Sequence, residues 1–297
     1  MKIVPKEAEA LLSWPGLLAA LEAGHLLPRA EIADMLLYRG PDTILNRAAW
    51  IDGLGQLVKC ATIFPGNAAQ GLPTVNGAVN LFSDQTGELQ ALVDFHLVTK
   101  WKTAGDSLLS ASRLARKDAK HFLLVGAGTV ARSMLEAYRS LWPEARFTVW
   151  SRNPASAAAM GLPVAADLET AVRAAEVICT ATMATEPLIN GTWLQPGQHL
   201  DLIGAYTPAM REVDDTAMAR GRIFVDARAT TLHHIGELMA PLASGTITGA
   251  DVIADFYDPP AQFTRRTTDE ITIAKNGGGA HLDLMTAHYI ASQWANR

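Results

Sequence analysis

Phe122-Leu123-Leu124-Val125-Gly126-Ala127-Gly128-Thr129-Val130-Ala131 is the stretch whose reading decides the fold. Its apolar opening has the length and composition of a buried strand, two glycines make a turn, and residues 130–141 then repeat at helical spacing. Gly126 permits the turn and Gly128 lets the backbone approach a pyrophosphate. Ala131 is small enough for the helix to pack closely on the strand. With Ala127 between the glycines and Thr129 and Val130 opening the helix, unpaired N–H groups and the positive end of the helix dipole face the phosphates. A glycine spacing of this kind carries weight through its context, strand before and helix after, and that context predicts a dinucleotide site.

Further downstream the same alternation continues. Residues 146–150, 177–182, 199–203 and 222–225 read as strands, with helices over 130–141 and 168–175, so the segment predicts βαβ units around a parallel sheet. The strand ending at Trp150 continues into Ser151, Arg152 and Asn153. No carboxylate stands there to accept from the ribose hydroxyls of NADH. Arg152 can pair with a 2′-phosphate and Ser151 can donate to it, which favours NADPH and leaves NADH the lesser candidate. Thr180-Ala181-Thr182 and Ile203-Gly204 end two further strands, at the carboxyl edge where open α/β sheets bind ligands.

Upstream the texture differs. Residues 5–26 have helical spacing, and short runs at 35–38, 57–64, 78–82 and 89–94 are separated by turn clusters, which predicts a β-rich sheet or partial barrel. A helix dense in small residues follows over about 98–117. The expected architecture is α/β: a Rossmann-type parallel-sheet domain over 119–275, plus a β-rich α+β dimerisation and substrate domain built from 1–118 together with 276–297. Within the apolar run Leu57-Val58-Lys59-Cys60-Ala61, Lys59 stands out, because lysine is rarely buried without a partner. It is either a working group turned inward or an outward lysine on an edge strand.

The bulk numbers exclude several classes. At 297 residues, 49% hydrophobic and 19% charged, with a net charge of −5, the chain has material for a sizeable core. Its scattered Lys and Arg predict neither nucleic-acid binding nor a membrane partner. The opening residues read as neither signal peptide nor membrane span. Cys60 and Cys179 are isolated thiols within apolar runs, which fits a reducing compartment, the cytoplasm, better than a disulfide framework. The eight histidines show no ligand spacing, and no metal is expected.

A second set of short motifs runs through nearly the whole chain: Val58-Lys59, Phe64-Pro65-Gly66-Asn67, Gly71-Leu72-Pro73-Thr74, Asp84-Gln85-Thr86-Gly87, Lys102-Thr103-Ala104, the glycine turn, Thr180-Ala181-Thr182, Trp193 to Gly197, Ile203-Gly204, Arg211-Glu212-Val213-Asp214 and Ile271 to Lys275. In these the sequence resembles the ornithine cyclodeaminase/mu-crystallin family. The resemblance implies a homodimer built through the first domain and chemistry on amino acids or the cyclic imines derived from them. Family cyclodeaminases carry an aspartate where this chain has Tyr206, and a tyrosine does not ionise near pH 7 without a large shift. The stretches around Tyr38-Arg39-Gly40, Asn46-Arg47, Trp101-Lys102 and Lys275-Asn276-Gly277 resemble the ketimine-reductase branch. They imply NADPH-dependent reduction of Δ1-pyrroline-2-carboxylate, and of Δ1-piperideine-2-carboxylate, to L-proline and L-pipecolate. The alternatives are an ornithine cyclodeaminase or a non-catalytic NADPH and small-ligand binder.

On that resemblance Lys59 and Lys102 are the catalytic candidates, and they share the substrate with Arg39, Arg47 and Asn46. Lys102 stands where most members have arginine, which keeps the charge and loses the bidentate fork. Arg39 and Arg47 compete for the family's first-domain arginine, with Arg39 ranked ahead. Thr74 is expected at the nicotinamide end, and Asn276 and Gly277 close over the cofactor. His281 is either a proton relay or a helix cap.

Overall fold

In the computed structural model, which describes residues 1–297, two sheets form from these two textures. The N-terminal part runs β1 (Lys2–Val4), α1 (Trp14–His25), β2 (Glu31–Arg39), β3 (Asp42–Ile51), β4 (Gly55–Ile63), β5 (Val75–Phe82), β6 (Leu89–Val93) and α2 (Phe95–Leu114). There follow β7 (His121–Val125), α3 (Thr129–Leu141), β8 (Arg146–Trp150), α4 (Pro154–Ala158), α5 (Leu168–Ala174), β9 (Val177–Thr180), β10 (His199–Leu202), α6 (Asp215–Arg220), β11 (Arg222–Val225), α7 (Arg228–Thr231), α8 (Gly236–Ser244), β12 (Val252–Ala254), β13 (Thr272–Lys275) and α9 (Ala280–Ala295). The chain divides into two units, Met1–Lys102 with Gly278–Arg297, and Thr103–Gly277. The first division falls inside α2, not at residue 118, because the helix continues without interruption past the end of the first sheet.

The first unit holds a six-stranded sheet in the order β1-β6-β5-β4-β3-β2, antiparallel except for the β1–β6 pair. The order has two ends, so the sheet is open and not a barrel. Where a run of apolar residues was expected over 35–38 alone, β2 and β3 form a long hairpin. Its second strand was hidden by the mixed run Asn46-Arg47-Ala48-Ala49-Trp50. In β4 Leu57, Lys59 and Ala61 are buried while Val58 is exposed, the period-2 pattern of a sheet with one covered face. The buried helix α9 packs against α1, β3 and β4. Asp94 opens α2 by accepting the Leu97 N–H at 2.7 Å.

The second unit is a parallel sheet in the order β12-β11-β13-β10-β9-β7-β8. Its central strands β7, β9, β10 and β13 are buried at every position, as expected when helices cover both faces. Leu123, Val125, Ile178, Leu200, Leu202, Ile223 and Ile273 form one core. Phe122 contributes to a ring cluster with Tyr138, Trp142 and Phe147 at centroid distances of 5.2, 5.2 and 5.1 Å. From β7 the chain crosses to β8 on one side and returns to β9 on the other, so the switch point lies at the carboxyl ends of β7 and β9. No helix is long and apolar enough to cross a membrane.

Candidate functional site

In the first unit, β3, β4, α2 and α9 bring four charged side chains together. Lys59 turns to the covered face of β4 and is 5% exposed. Its Nζ donates to Asp283 Oδ1 at 2.8 Å and to Thr99 Oγ1 at 2.8 Å, and lies 4.9 Å from the centre of the Phe95 ring. Arg47 is the cross-strand partner of Lys59. It pairs with Asp34 through Nη2 at 2.7 Å and Nε at 3.3 Å, reaches Asp283 Oδ2 at 3.5 Å, and donates through Nη1 to the Gly278 carbonyl at 2.7 Å. Lys102, also buried, donates to the same carbonyl at 3.0 Å.

Three cations thus surround Asp283, which has no solvent exposure, while the second acid, Asp34, is 40% exposed. Positive charge exceeds negative by one in a poorly hydrated space, which favours capture of an anion. Burial pulls the Lys59 ammonium down to about 8; Asp283 opposes that fall, and the charges of Lys102 and Arg47 add to it. Burial pushes Asp283 up, but Lys59, Lys102 and Arg47 together hold it below the usual carboxylate range. His281 is not a helix cap, since α9 begins without a side-chain cap. It lies fully buried, edge-on to His25 at 5.4 Å, and burial followed by the neighbouring His25 and Lys102 drives it well below the usual imidazole value.

The remaining first-domain candidates lie elsewhere. Arg39 was ranked ahead of Arg47, yet its side chain is 80% exposed and pairs across the hairpin with Asp42 at 2.8 Å. The ranking is reversed because only Arg47 lies on the strand pair that carries Lys59. Asn46, one residue from Arg47 in β3, points to the opposite face. Thr74 is exposed at the start of β5, its carbonyl accepting the Phe64 N–H at 2.7 Å.

In the second unit, the glycine turn follows β7. Gly126 has φ of +111°, and a Cβ there would lie 2.5 Å from the Ala181 oxygen, so only glycine is accommodated. A Cβ on Gly128 would project into open space, and α3 starts at Thr129 with no side-chain cap. Gly128, Thr129 and Val130 are exposed, Ala127 is half-buried and Ala131 is sealed beneath them. An uncapped helix start with room above its first turn suits a pyrophosphate.

At the end of β8, Ser151 Oγ accepts the Asn153 N–H at 3.3 Å, and Asn153 is committed to capping α4 through Ala155 and Ser156 N–H. Arg152 is exposed. Thr180 and Thr182 both bond to Glu212, as does the Gly204 N–H next to Ile203. Asn276 is held by Ser107 at 2.5 Å and Asp201 at 3.1 Å, and the Gly277 N–H donates to Asp226 at 2.9 Å. Burial raises Asp201 to about 7, where Tyr138 also bonds to it.

Two buried acids in these clusters were not singled out by the sequence reading. Asp283 stands between Leu282 and Leu284-Met285 in α9, a local signal akin to that of Lys59 in its strand. Glu212 lay within a matching motif but carried no assigned role.

Residues 52–297 match the family described as the ornithine cyclodeaminase/mu-crystallin family. A Δ1-pyrroline-2-carboxylate reductase of Paracoccus denitrificans (strain Pd 1222) is 51% identical over 96% of this chain and 94% of its own. The structure of iminosuccinate reductase of Paracoccus denitrificans in complex with NAD+ superimposes with a TM-score of 0.89 at 25% identity, covering 100% of this chain and 97% of the other. Thermococcus litoralis Δ1-pyrroline-2-carboxylate reductase, in complex with NADH and L-proline, shares the fold with a TM-score of 0.90 at 24% identity, over 100% and 98% of the two chains.

Proposed function

Because the chain belongs to the ornithine cyclodeaminase/mu-crystallin family, we propose that it is a ketimine reductase. It adds hydride to the C=N carbon of Δ1-pyrroline-2-carboxylate, and of its six-membered homologue, giving L-proline and L-pipecolate. The 51% identity with a Δ1-pyrroline-2-carboxylate reductase supports this class of CH–NH oxidoreductase. The observation that carries the reading is the cationic cluster: Lys59, Lys102 and Arg47 around the single buried carboxylate of Asp283. A cyclic imino acid brings an anion of the right size and a nitrogen that needs a proton.

A reduced nicotinamide dinucleotide supplies the hydride. Lys102, whose ammonium donates to a backbone carbonyl and acts on Asp283 only through its charge, and Arg47 bind the substrate carboxylate. Lys59 holds a proton at Nζ beside Asp283 and keeps the ring nitrogen protonated, so that the C=N carbon is electrophilic when the hydride arrives. Substrate, reduced cofactor and one proton give the cyclic amino acid and the oxidised cofactor. Ser151, Arg152 and the absence of a carboxylate after β8 favour NADPH over NADH.

The glycine turn, Thr129 and Val130 would hold the pyrophosphate, and Thr180 to Thr182, Ile203, Gly204, Asn276 and Gly277 would serve the rest of the dinucleotide. Thr74, Arg39 and Asn46 keep only the support of the resemblance. We also read the protein as a homodimer: β2 is an edge strand whose Met35, Leu36, Leu37 and Tyr38 are 51%, 47%, 55% and 71% exposed, a surface that a soluble monomer rarely leaves bare. Free Cys60 and Cys179 fit the cytoplasm.

The test is oxidation of NADPH and of NADH by the purified protein with pyrroline-2-carboxylate, piperideine-2-carboxylate and acyclic α-keto acids plus ammonia. Turnover confined to the cyclic imines supports the reading. Turnover confined to the keto acids, or ammonia release from ornithine, overturns it.

A further inference from the structure

Glu212 lies outside every strand and helix, with no solvent exposure, and collects donors from two separate strand ends. Its Oε2 accepts from Thr180 Oγ1 at 2.7 Å, Gly204 N–H at 2.8 Å and Ala205 N–H at 3.3 Å. Its Oε1 accepts from Thr182 N–H at 2.9 Å and Thr182 Oγ1 at 2.7 Å. Thr180 ends β9 and Thr182 lies two residues beyond it; Gly204 and Ala205 follow β10. One carboxylate therefore ties two neighbouring loops at the carboxyl edge of the sheet. Gly204 makes the tie possible, because a Cβ there would lie 2.3 Å from both Thr182 N and Thr182 O, and 2.4 Å from Glu212 Oε1.

Glu212 is itself immobilised. Its N–H and that of Val213 donate to the buried Glu237 at 2.7 and 3.0 Å, and its carbonyl accepts from Leu188 and Ile189 N–H at 2.9 and 3.1 Å. Burial, then the charge of Glu212, raises Glu237 to about 7. Lys275 supplies a compensating positive charge, its Nζ donating to the carbonyls of Leu202 and Asn276 at 2.8 and 2.9 Å.

The strand order says which part of a ligand these loops serve. A dinucleotide with its ribose at the end of β8 and its pyrophosphate at the turn after β7 continues over the next strands in the sheet, β9 and β10. Its nicotinamide end therefore arrives at the loops that Glu212 ties. We propose that Glu212 is a positioning residue for the nicotinamide half of the cofactor site, fixing the loops after β9 and β10 and leaving the adenosine half to the turn after β7 and the end of β8. This rests on the ketimine-reductase reading above, and on its nicotinamide cofactor in particular.

Glutamine at this position retains one oxygen and turns an NH2 group towards donors, leaving at least two of them without an acceptor. The experiment measures binding of NADPH and of adenosine 2′,5′-bisphosphate to the whole protein, by calorimetry, for wild type, Glu212→Gln and Thr182→Val. For Glu212→Gln we expect NADPH affinity to fall at least tenfold, about 1.4 kcal/mol, with the bisphosphate within about twofold of wild type. Thr182→Val removes one of the donors and gives the same pattern at smaller amplitude, which keeps the test alive if the glutamine variant fails to fold. Equal losses for dinucleotide and fragment, or no loss for either in the folded variants, overturn the proposal. If wild type binds NADH instead of NADPH, AMP replaces the bisphosphate and the same comparison decides. If wild type binds neither dinucleotide, the cofactor reading falls, and this assignment with it.

Discussion

The two units build binding chemistry from opposite materials. In the first, the proposed site is made of side chains: Lys59, Arg47, Lys102 and Asp283, drawn from two strands and two helices, form a charge cluster. In the second, the turn after β7 works through backbone: a positive φ at Gly126, an empty Cβ position at Gly128 and an uncapped helix start. Charged clusters are sensitive to what each side chain carries, whereas a backbone cradle is sensitive to whether any side chain is present at all. Substitutions in the first unit should therefore alter the chemistry of a bound imine with cofactor affinity preserved, and substitutions at the turn should do the reverse.

The largest effect that tests this contrast is at Lys59. Lys59→Ala should lower kcat/KM for pyrroline-2-carboxylate by about a hundredfold or more, with NADPH affinity unchanged by calorimetry. A near-normal variant would remove Lys59 from the reaction. At Gly126, substitution by valine should weaken NADPH binding by at least about tenfold, because the added Cβ meets the Ala181 oxygen and the backbone conformation is strained. Pairing of the carboxylate with Lys102 and Arg47 should survive in that variant, read as product binding.

Arg152→Ser should cut the preference for NADPH over NADH by about tenfold, the worth of one charge-assisted contact. An unaltered ratio would detach Arg152 from the cofactor. The pH profile sharpens the first unit alone. Lys59 is protonated below about 8 and neutral above it, so kcat/KM should fall as pH rises through that value. Asp283 raises the Lys59 value, so Asp283→Asn should move the falling limb to lower pH, provided its thermal melt shows a folded protein. The smallest effect is at Arg39, exposed, paired with Asp42 in its own hairpin and set 5.7 Å from the centre of the Phe64 ring. Arg39→Ala should change kcat/KM by less than about twofold.

Local signals were readable from the chain and distant ones were not. The strand, turn and helix over 122–141 share one continuous segment, so periodicity and two glycines sufficed. Lys59 stood out because its neighbours along the strand are apolar. The sequence put Arg39 ahead of Arg47, whereas what separates them is the cross-strand register of β3 with β4. Asp283 lies 224 residues from Lys59, and no local pattern joins the two. β13 was not read as a strand; its place is set by parallel pairing with β10 and β11, which no local pattern reveals. Tyr206, two residues after Gly204, is 59% exposed, whereas Ala205 between them is buried.

The location of β13 also bears on how the chain is made. β13 lies between β10 and β11, two strands already synthesised before it, and α9, which carries Asp283, comes later still. During translation a nascent chain that has emerged as far as residue 271 holds a gap in the middle of its parallel sheet, with the flanking strands presenting unpaired amides. Such long-range insertion is slow and leaves an intermediate open to association with other chains. Ribosome stalling or nonsense truncation just before Thr272 should therefore yield aggregates in place of a smaller working enzyme.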